Sequence, residues 1–127
     1  MIFGVGIDLV EVARVERLLA AYGERFYERV LAPSERAGYL QSARQVWFLA
    51  TRFAAKEAVS KALGTGLRYP VTLHAISVVN DAVGRPALRF HGALPDYLKK
   101  AGVGEVHLSL THEKGLACAV AVAEAVR

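Results

Sequence analysis

The chain has 127 residues, 54% of them hydrophobic, and a formal net charge of +4 at neutral pH. This length fits a single domain, taken as residues 1–127, that can bury roughly two-thirds of its unfolded surface. The basic balance suits anionic partners, but there is no long Lys/Arg run and no basic stripe interleaved with aromatics, so nucleic acid is excluded as the expected ligand.

Ile2–Leu9 reads as a strand. Its odd positions, Phe3, Val5, Ile7 and Leu9, form an apolar row, and its even positions include Gly4, Gly6 and Asp8. The same stretch has no basic n-region or small-residue cleavage pattern, so no secretory signal is expected. Val12–Tyr22 follows as a helix stopped by Gly23. Pro33-Ser34 opens a short helix near Ser34–Ser42, with Pro33 just ahead of its start. Gln45–Leu63 is the long helix, ended by Gly64.

Tyr69-Pro70 interrupts the chain. Ala75–Asn80 and Pro86–His91 form an expected hairpin around Asp81–Arg85, with Gly84 in the turn. Leu94–Ala101 is a short helix closed by Gly102, and Glu105–Thr111 and Leu116–Val126 are two further strands joined through His112–Gly115. In the last strand Ala117, Ala119, Ala121 and Ala123 share one face, which would let the long helix approach closely. The longest apolar run, Leu116–Ala123, is too short to span a bilayer, so no membrane association is expected. Cys118 is the only cysteine, which excludes an internal disulfide and fits a reducing cytosol. Antiparallel strands mixed with helices give an α+β class. The surplus of apolar residues suggests that a partner subunit covers part of the surface.

The long helix is apolar in nearly every direction, as a buried helix is. Phe53, Glu57, Lys61 and Gly64 nevertheless lie along one stripe of it. Glu57 and Lys61 one turn apart would ordinarily be a solvated pair worth roughly 0.2–0.5 kcal/mol. On a helix with so little polar face, leading to Gly64-Thr65-Gly66, a functional role is the better expectation. A hard cation such as Mg²⁺ needs oxygen ligands, commonly one or two carboxylates completed by phosphate and water. Asp8 is the best second carboxylate. Asp8-Leu9-Val10-Glu11 also has capping-box spacing, so at this level Asp8 is equally a ligand or a helix cap. In His107–His112, His107, Ser109 and Thr111 share one face, able to bond phosphate or ribose oxygens or simply to be solvated. No His/Cys cluster has zinc spacing, and no phosphate-loop motif is present.

Taken together, GIDLVE (Gly6–Glu11), FAAKEAVSKALGTG (Phe53–Gly66), GRP (Gly84–Pro86) and HLSLTH (His107–His112) resemble the holo-acyl-carrier-protein synthases, the small single-domain class of 4′-phosphopantetheinyl transferases. The resemblance spans nearly the whole chain. It implies an α+β fold with antiparallel sheet packed around a long buried helix, assembled as a homotrimer with active sites between subunits. It also implies a cytoplasmic enzyme of lipid metabolism that moves phosphopantetheine from coenzyme A to a serine of acidic apo acyl carrier protein, releasing adenosine 3′,5′-bisphosphate. By the same resemblance, Asp8 and Glu57 hold Mg²⁺, with Mn²⁺ as a substitute, and Lys61 contacts phosphate. Arg52, Phe53, Gly64, Ser109 and Thr111 contact coenzyme A, and His107 lies near the diphosphate as an active-site residue. Glu57 is the first choice for the group that takes the serine proton. Arg14, Arg17 and Arg25 are expected to dock the carrier protein, although a solvated arginine face has the same pattern. The family's F-x-x-R-x-F-T-x-x-E pattern keeps Phe26, Arg29 and Glu35 here, but Leu31-Ala32 and an added Pro33 replace its centre. The alternative is a non-catalytic module that binds coenzyme A or another nucleotide. The presence of two carboxylates weighs against it, since a passive anion site gains nothing from them.

Overall fold

In the computed structural model, which describes residues 1–126, a 19-residue helix, α4 (Gln45–Leu63), lies against a three-stranded antiparallel sheet. The strands are β1 (Ile2–Glu11), β5 (Leu116–Ala125) and β4 (Val103–Glu113), in that spatial order. The register fixes what faces the helix. Gly4 pairs with Ala123, Gly6 with Ala121, Asp8 with Ala119 and Val10 with Ala117. On the other side of β5, Val106, Leu108, Leu110 and His112 pair with the same four alanines. All four alanines are fully buried, as their shared face led one to expect.

The helix approaches so closely that two positions of β1 have no room for a side chain. A Cβ on Gly4 would overlap the carbonyl oxygen of Ala62, and one on Gly6 the carbonyl oxygen of Ala58. Glycine in a strand interior weakens the strand, and close approach of another backbone is one reason to find it there. The helix supplies its own small residues at this contact: Ala54, Ala55, Ala58 and Ala62 are buried. It ends at Gly64, whose φ of 78° lets its N–H and those of Thr65 and Gly66 turn back to Lys61 and Ser60 carbonyls.

The remaining elements close the core around α4. They are α1 (Val12–Tyr22), α2 (Glu24–Val30), a 3₁₀ turn (Pro33–Glu35), α3 (Arg36–Gln41), the hairpin β2 (Ile76–Asn80)–β3 (Pro86–Phe90) and α5 (Leu94–Ala101). Val15, Leu31, Leu49, Val59, Val71, Ile76 and Leu94 are all but inaccessible. Each such side chain contributes roughly 1.5–3 kcal/mol by leaving water. Among the described residues no helix is long and apolar enough to cross a membrane.

Most expected elements are present, with four differences. β1 continues to Glu11 because its pairing with β5 continues to Leu116, so Asp8 lies inside the strand rather than at its end. α2 was not anticipated: its seven residues, directly after Gly23, are too few to show a clear helical period. The expected helix at Ser34–Ser42 is a 3₁₀ turn followed by α3. The β4–β5 connection is also tighter than expected, with only Lys114 and Gly115, both at positive φ (51° and 77°), between the strands; this is the backbone of a two-residue hairpin turn.

The outer face of the sheet reverses the usual amphipathic pattern. Val5, Ile7 and Leu9 are 58%, 57% and 62% exposed, although a lone strand with this row would be expected to turn it inward. Their partners on β5 are Val122, Val120 and Cys118, and beyond these lie His107, Ser109 and Thr111 of β4.

Replacing Gly6 by alanine should push β1 off α4. We expect a loss of roughly 3 kcal/mol, at the upper end of overpacking costs, read from urea unfolding. An unchanged unfolding midpoint would contradict the close-contact account.

Candidate active site

The inner row of β1 and the stripe along α4 meet at Asp8. Asp8, Glu57 and Phe53 line one cleft of about 370 Å³, with Leu9, Val10, Glu11, Arg14, Val15, Leu18 and Phe26 completing its walls. Lys61, one turn beyond Glu57, donates to Asp8 Oδ1 at 3.0 Å and to the Ile7 carbonyl at 3.1 Å. The capping alternative for Asp8 does not hold. The residue preceding α1 is Glu11, with no side-chain cap bond, and the Asp8 carboxylate faces Lys61 instead.

The charges in this cleft are interdependent. Burial raises the Glu57 carboxyl above its ordinary value near 4.5, the negative charge of Asp8 raises it further, and Lys61 opposes both. Two carboxylates close enough to perturb one another, open to a cleft and offering only oxygen, fit a hard divalent cation. A second cluster lies elsewhere: Glu105, His107 and Glu124 bring ligand atoms within 4.8 Å of one another. There the His107 ring already bonds Glu124 Oε2 at 2.8 Å, and the group is open to solvent.

The cleft continues into a basic groove. Leu18 and Phe26 belong to both the cleft and an adjoining cavity of about 460 Å³, which Tyr22, Arg25 and Arg29 complete. Arg14 and Arg25 thus flank one continuous depression around an apolar floor. Arg17 is exposed on α1 but lines neither cavity.

The other expected residues are not gathered here within a single chain. His107, Ser109 and Thr111 lie on the outer face of the sheet, opposite the face that carries Asp8. His107 and Ser109 border a larger cavity, about 680 Å³, between β3 and the free edge of β4, together with Arg85 and Pro86 of the GRP motif. Arg52 points to another side of α4: its guanidinium lies 3.8 Å from the Phe48 ring centroid and donates to Thr51 Oγ1. Gly64 is at the exposed end of α4.

One buried charge pair was missed. Lys56, fully buried beside Glu57 in sequence, donates to Glu35 Oε1 at 2.6 Å, to the Val30 carbonyl at 2.7 Å and to the Leu73 carbonyl at 2.9 Å. Glu35 also accepts from the backbone N–H groups of Ala32 and Val78. Burial lowers the Lys56 ammonium and Glu35 opposes that shift. The network ties α4 to the end of α2, to the 3₁₀ turn and to β2. It also explains how the segment around Leu31-Ala32-Pro33 is anchored, with Leu31 and Ala32 buried. A lysine on a helix apolar all round was the available signal, since such a lysine must either reach solvent or find acceptors.

Comparison with known proteins gives one consistent answer. A family model for the 4′-phosphopantetheinyl transferase superfamily matches residues 4–121. The holo-[acyl-carrier-protein] synthase of Nitrosospira multiformis is 48% identical over 98% of this chain and 99% of its own. Among solved structures, the holo-[acyl-carrier-protein] synthase of Neisseria meningitidis superposes with a TM-score of 0.95 at 40% identity, covering 98% of this chain and 99% of its own. That of Bacillus anthracis, determined in complex with coenzyme A (3′,5′-ADP), gives 0.81 at 39% identity and covers 98% of each chain.

Two stability measurements test the electrostatics. An acid whose folded value is raised binds its proton more tightly in the folded state. Glu57 therefore favours folding most below about pH 4.5, and that contribution is lost as pH rises through the folded value. In chelator, Glu57→Gln should gain stability relative to wild type as pH rises from 4 to 7. A constant difference across that range would contradict the raised carboxyl. Lys56→Met should cost about 3–5 kcal/mol by leaving the Glu35 carboxylate buried and unpaired, and adding Glu35→Gln should recover part of it in denaturant unfolding.

Proposed function

We propose that this chain, which belongs to the 4′-phosphopantetheinyl transferase superfamily as one of its holo-acyl-carrier-protein synthases, transfers 4′-phosphopantetheine from coenzyme A to a serine hydroxyl of an apo acyl carrier protein, releasing adenosine 3′,5′-bisphosphate. The observation that carries this reading is the convergence of Asp8, Glu57 and Lys61 from two distant segments on one cleft that runs into an arginine-flanked groove.

The chemistry follows from charge. A serine oxygen must attack a diphosphate already negative, and the departing adenylate oxygen gains charge as the bond breaks. Lys61, on a flexible stem at the end of a rigid helix, supplies an ammonium to the diphosphate. Asp8 and Glu57 would hold Mg²⁺, or Mn²⁺ in its place, and the ion when bound would offset charge on the diphosphate oxygens. Glu57, directly or through a water, is the group we assign to take the serine proton. Lys61, engaged with Asp8 and then with the diphosphate, is assigned to charge rather than to proton transfer. Phe53 forms the apolar wall against which the pantetheine arm lies. The glycine at the end of α4 lets the ligand approach backbone.

The carrier protein docks along α1 and α2. Arg14 and Arg25 flank the apolar floor of Leu18 and Phe26, with Arg17 further along α1 as a steering charge, an arrangement suited to an acidic helix.

The site is completed by a second copy of the chain. His107, Ser109 and Thr111 cannot reach the Asp8–Glu57 cleft of their own chain, because the sheet lies between them. Val5, Ile7 and Leu9 stand exposed on the same outer face, an apolar patch of the kind that marks an interface. A closed homotrimer, with each cleft facing a neighbour's outer sheet face, covers that patch and brings a neighbour's His107, Ser109 and Thr111 to the diphosphate and coenzyme of the first. The lone, half-buried Cys118 on this face is consistent with a cytosolic setting.

Incubating an apo carrier protein with the enzyme, Mg²⁺ and coenzyme A should add one phosphopantetheine by mass spectrometry, and chelator should prevent it. No mass change with Mg²⁺ present would overturn the reading. Glu57→Gln should lower kcat roughly a hundredfold or more while remaining folded. Arg14→Glu should raise KM for the carrier protein by roughly tenfold, about 1.4 kcal/mol, with little effect on KM for coenzyme A; equal effects on both would count against docking there.

A further inference from the structure

Lys61 does more than wait for phosphate. Its ammonium is 3.0 Å from Asp8 Oδ1 and 3.1 Å from the Ile7 carbonyl. The Asp8 side chain is only 16% exposed, whereas that of Lys61 is 52% exposed. The carboxylate is thus held in place by the strand and the helix, while the ammonium reaches it from the solvent side on four methylenes anchored in the last turn of α4. Glu57, one helical turn earlier on the same stripe, shares the cleft with Asp8. The one cation among these three side chains therefore occupies the ground that two carboxylates offer to a metal.

We propose that Lys61 is an internal counter-ion that competes with the divalent cation for Asp8, and that its transfer from Asp8 to the coenzyme diphosphate couples binding of the ion to binding of the coenzyme. The inference rests on the reading of Asp8 and Glu57 as metal ligands. A cation entering between the two carboxylates must work against the nearby ammonium, which lowers its affinity in the absence of coenzyme. When a diphosphate arrives, it offers Lys61 a second anionic partner, and the ammonium leaves Asp8 for it. Ion and coenzyme then each make the other's binding more favourable, by the same factor in both directions. Asp8 and Glu57 also avoid facing one another with no cation between them. The half-exposed stem is what lets the ammonium change partners without moving the helix.

The test is Mn²⁺ binding by electron paramagnetic resonance of the free ion, with and without coenzyme A. Wild type, Lys61→Met, Lys61→Gln and Asp8→Asn are compared after circular dichroism has shown each to be folded. Without coenzyme A, both Lys61 variants should bind Mn²⁺ about tenfold more tightly than wild type, equal to about 1.4 kcal/mol. Coenzyme A should strengthen Mn²⁺ binding to wild type by a larger factor than to either Lys61 variant. Asp8→Asn should weaken Mn²⁺ binding strongly. If Asp8→Asn weakens binding but the Lys61 variants bind no more tightly than wild type, the counter-ion role is wrong and the metal assignment stands. If Asp8→Asn leaves Mn²⁺ binding unchanged, the metal assignment fails and the counter-ion role fails with it.

Discussion

The structure depends on how closely one helix can lie on one sheet. Gly4 and Gly6 of β1 sit beneath the backbone of α4 at Ala62 and Ala58, and four alanines of β5 extend that bed. Nothing larger fits. This contact brings residue 8 of the first strand to residues 57 and 61 of a helix some fifty positions later. The next inward position after the two glycines is Asp8, so the packing that leaves no room for side chains at Gly4 and Gly6 opens into a cleft just where the acid stands. Packing and site are two consequences of one row of β1.

The long helix manages its charges in two opposite ways. Lys56 is sealed in the core, with a carboxylate and two carbonyls as fixed acceptors. Such a pair contributes little net stability over an apolar alternative, but losing one partner is costly, so its effect is to pin α2, the 3₁₀ turn and β2 to the helix in one arrangement. Lys61, five residues on, has a half-exposed stem and acceptors at the rim of a cleft. One lysine fixes the wall of the groove that holds Phe26 and Arg25, and the other remains available to a ligand. The same residue type serves as scaffold or as reagent according to how much solvent reaches it.

Much of this was legible in the sequence because it follows from period and from residue size. The alternation of alanines in β5 marked the face that meets the helix, the span of α4 was set by its apolar residues and Gly64, and the stripe Phe53–Glu57–Lys61 pointed at the cleft. The contest over Asp8 could not be decided locally, because capping-box spacing is a property of four adjacent residues and the deciding partner, Lys61, is far along the chain. The Glu35–Lys56 pair was hidden for the same reason. α2 was hidden because seven residues span barely two turns. The outward turn of Val5, Ile7 and Leu9 inverted the expected pattern, since an apolar row signals burial without saying whether its own chain or a neighbour does the burying.

We propose that the glycine–alanine contact places Asp8 and Glu57 to share a single divalent ion. The most direct measurement is anomalous diffraction at the manganese edge from crystals of the protein soaked in Mn²⁺. One strong peak is expected within coordination distance of both carboxylates, about 2.0–2.3 Å from each. A peak at Glu105, His107 and Glu124 with none at Asp8 and Glu57, or Asp8 and Glu57 carboxylates too far apart to bind a common ion, would contradict it.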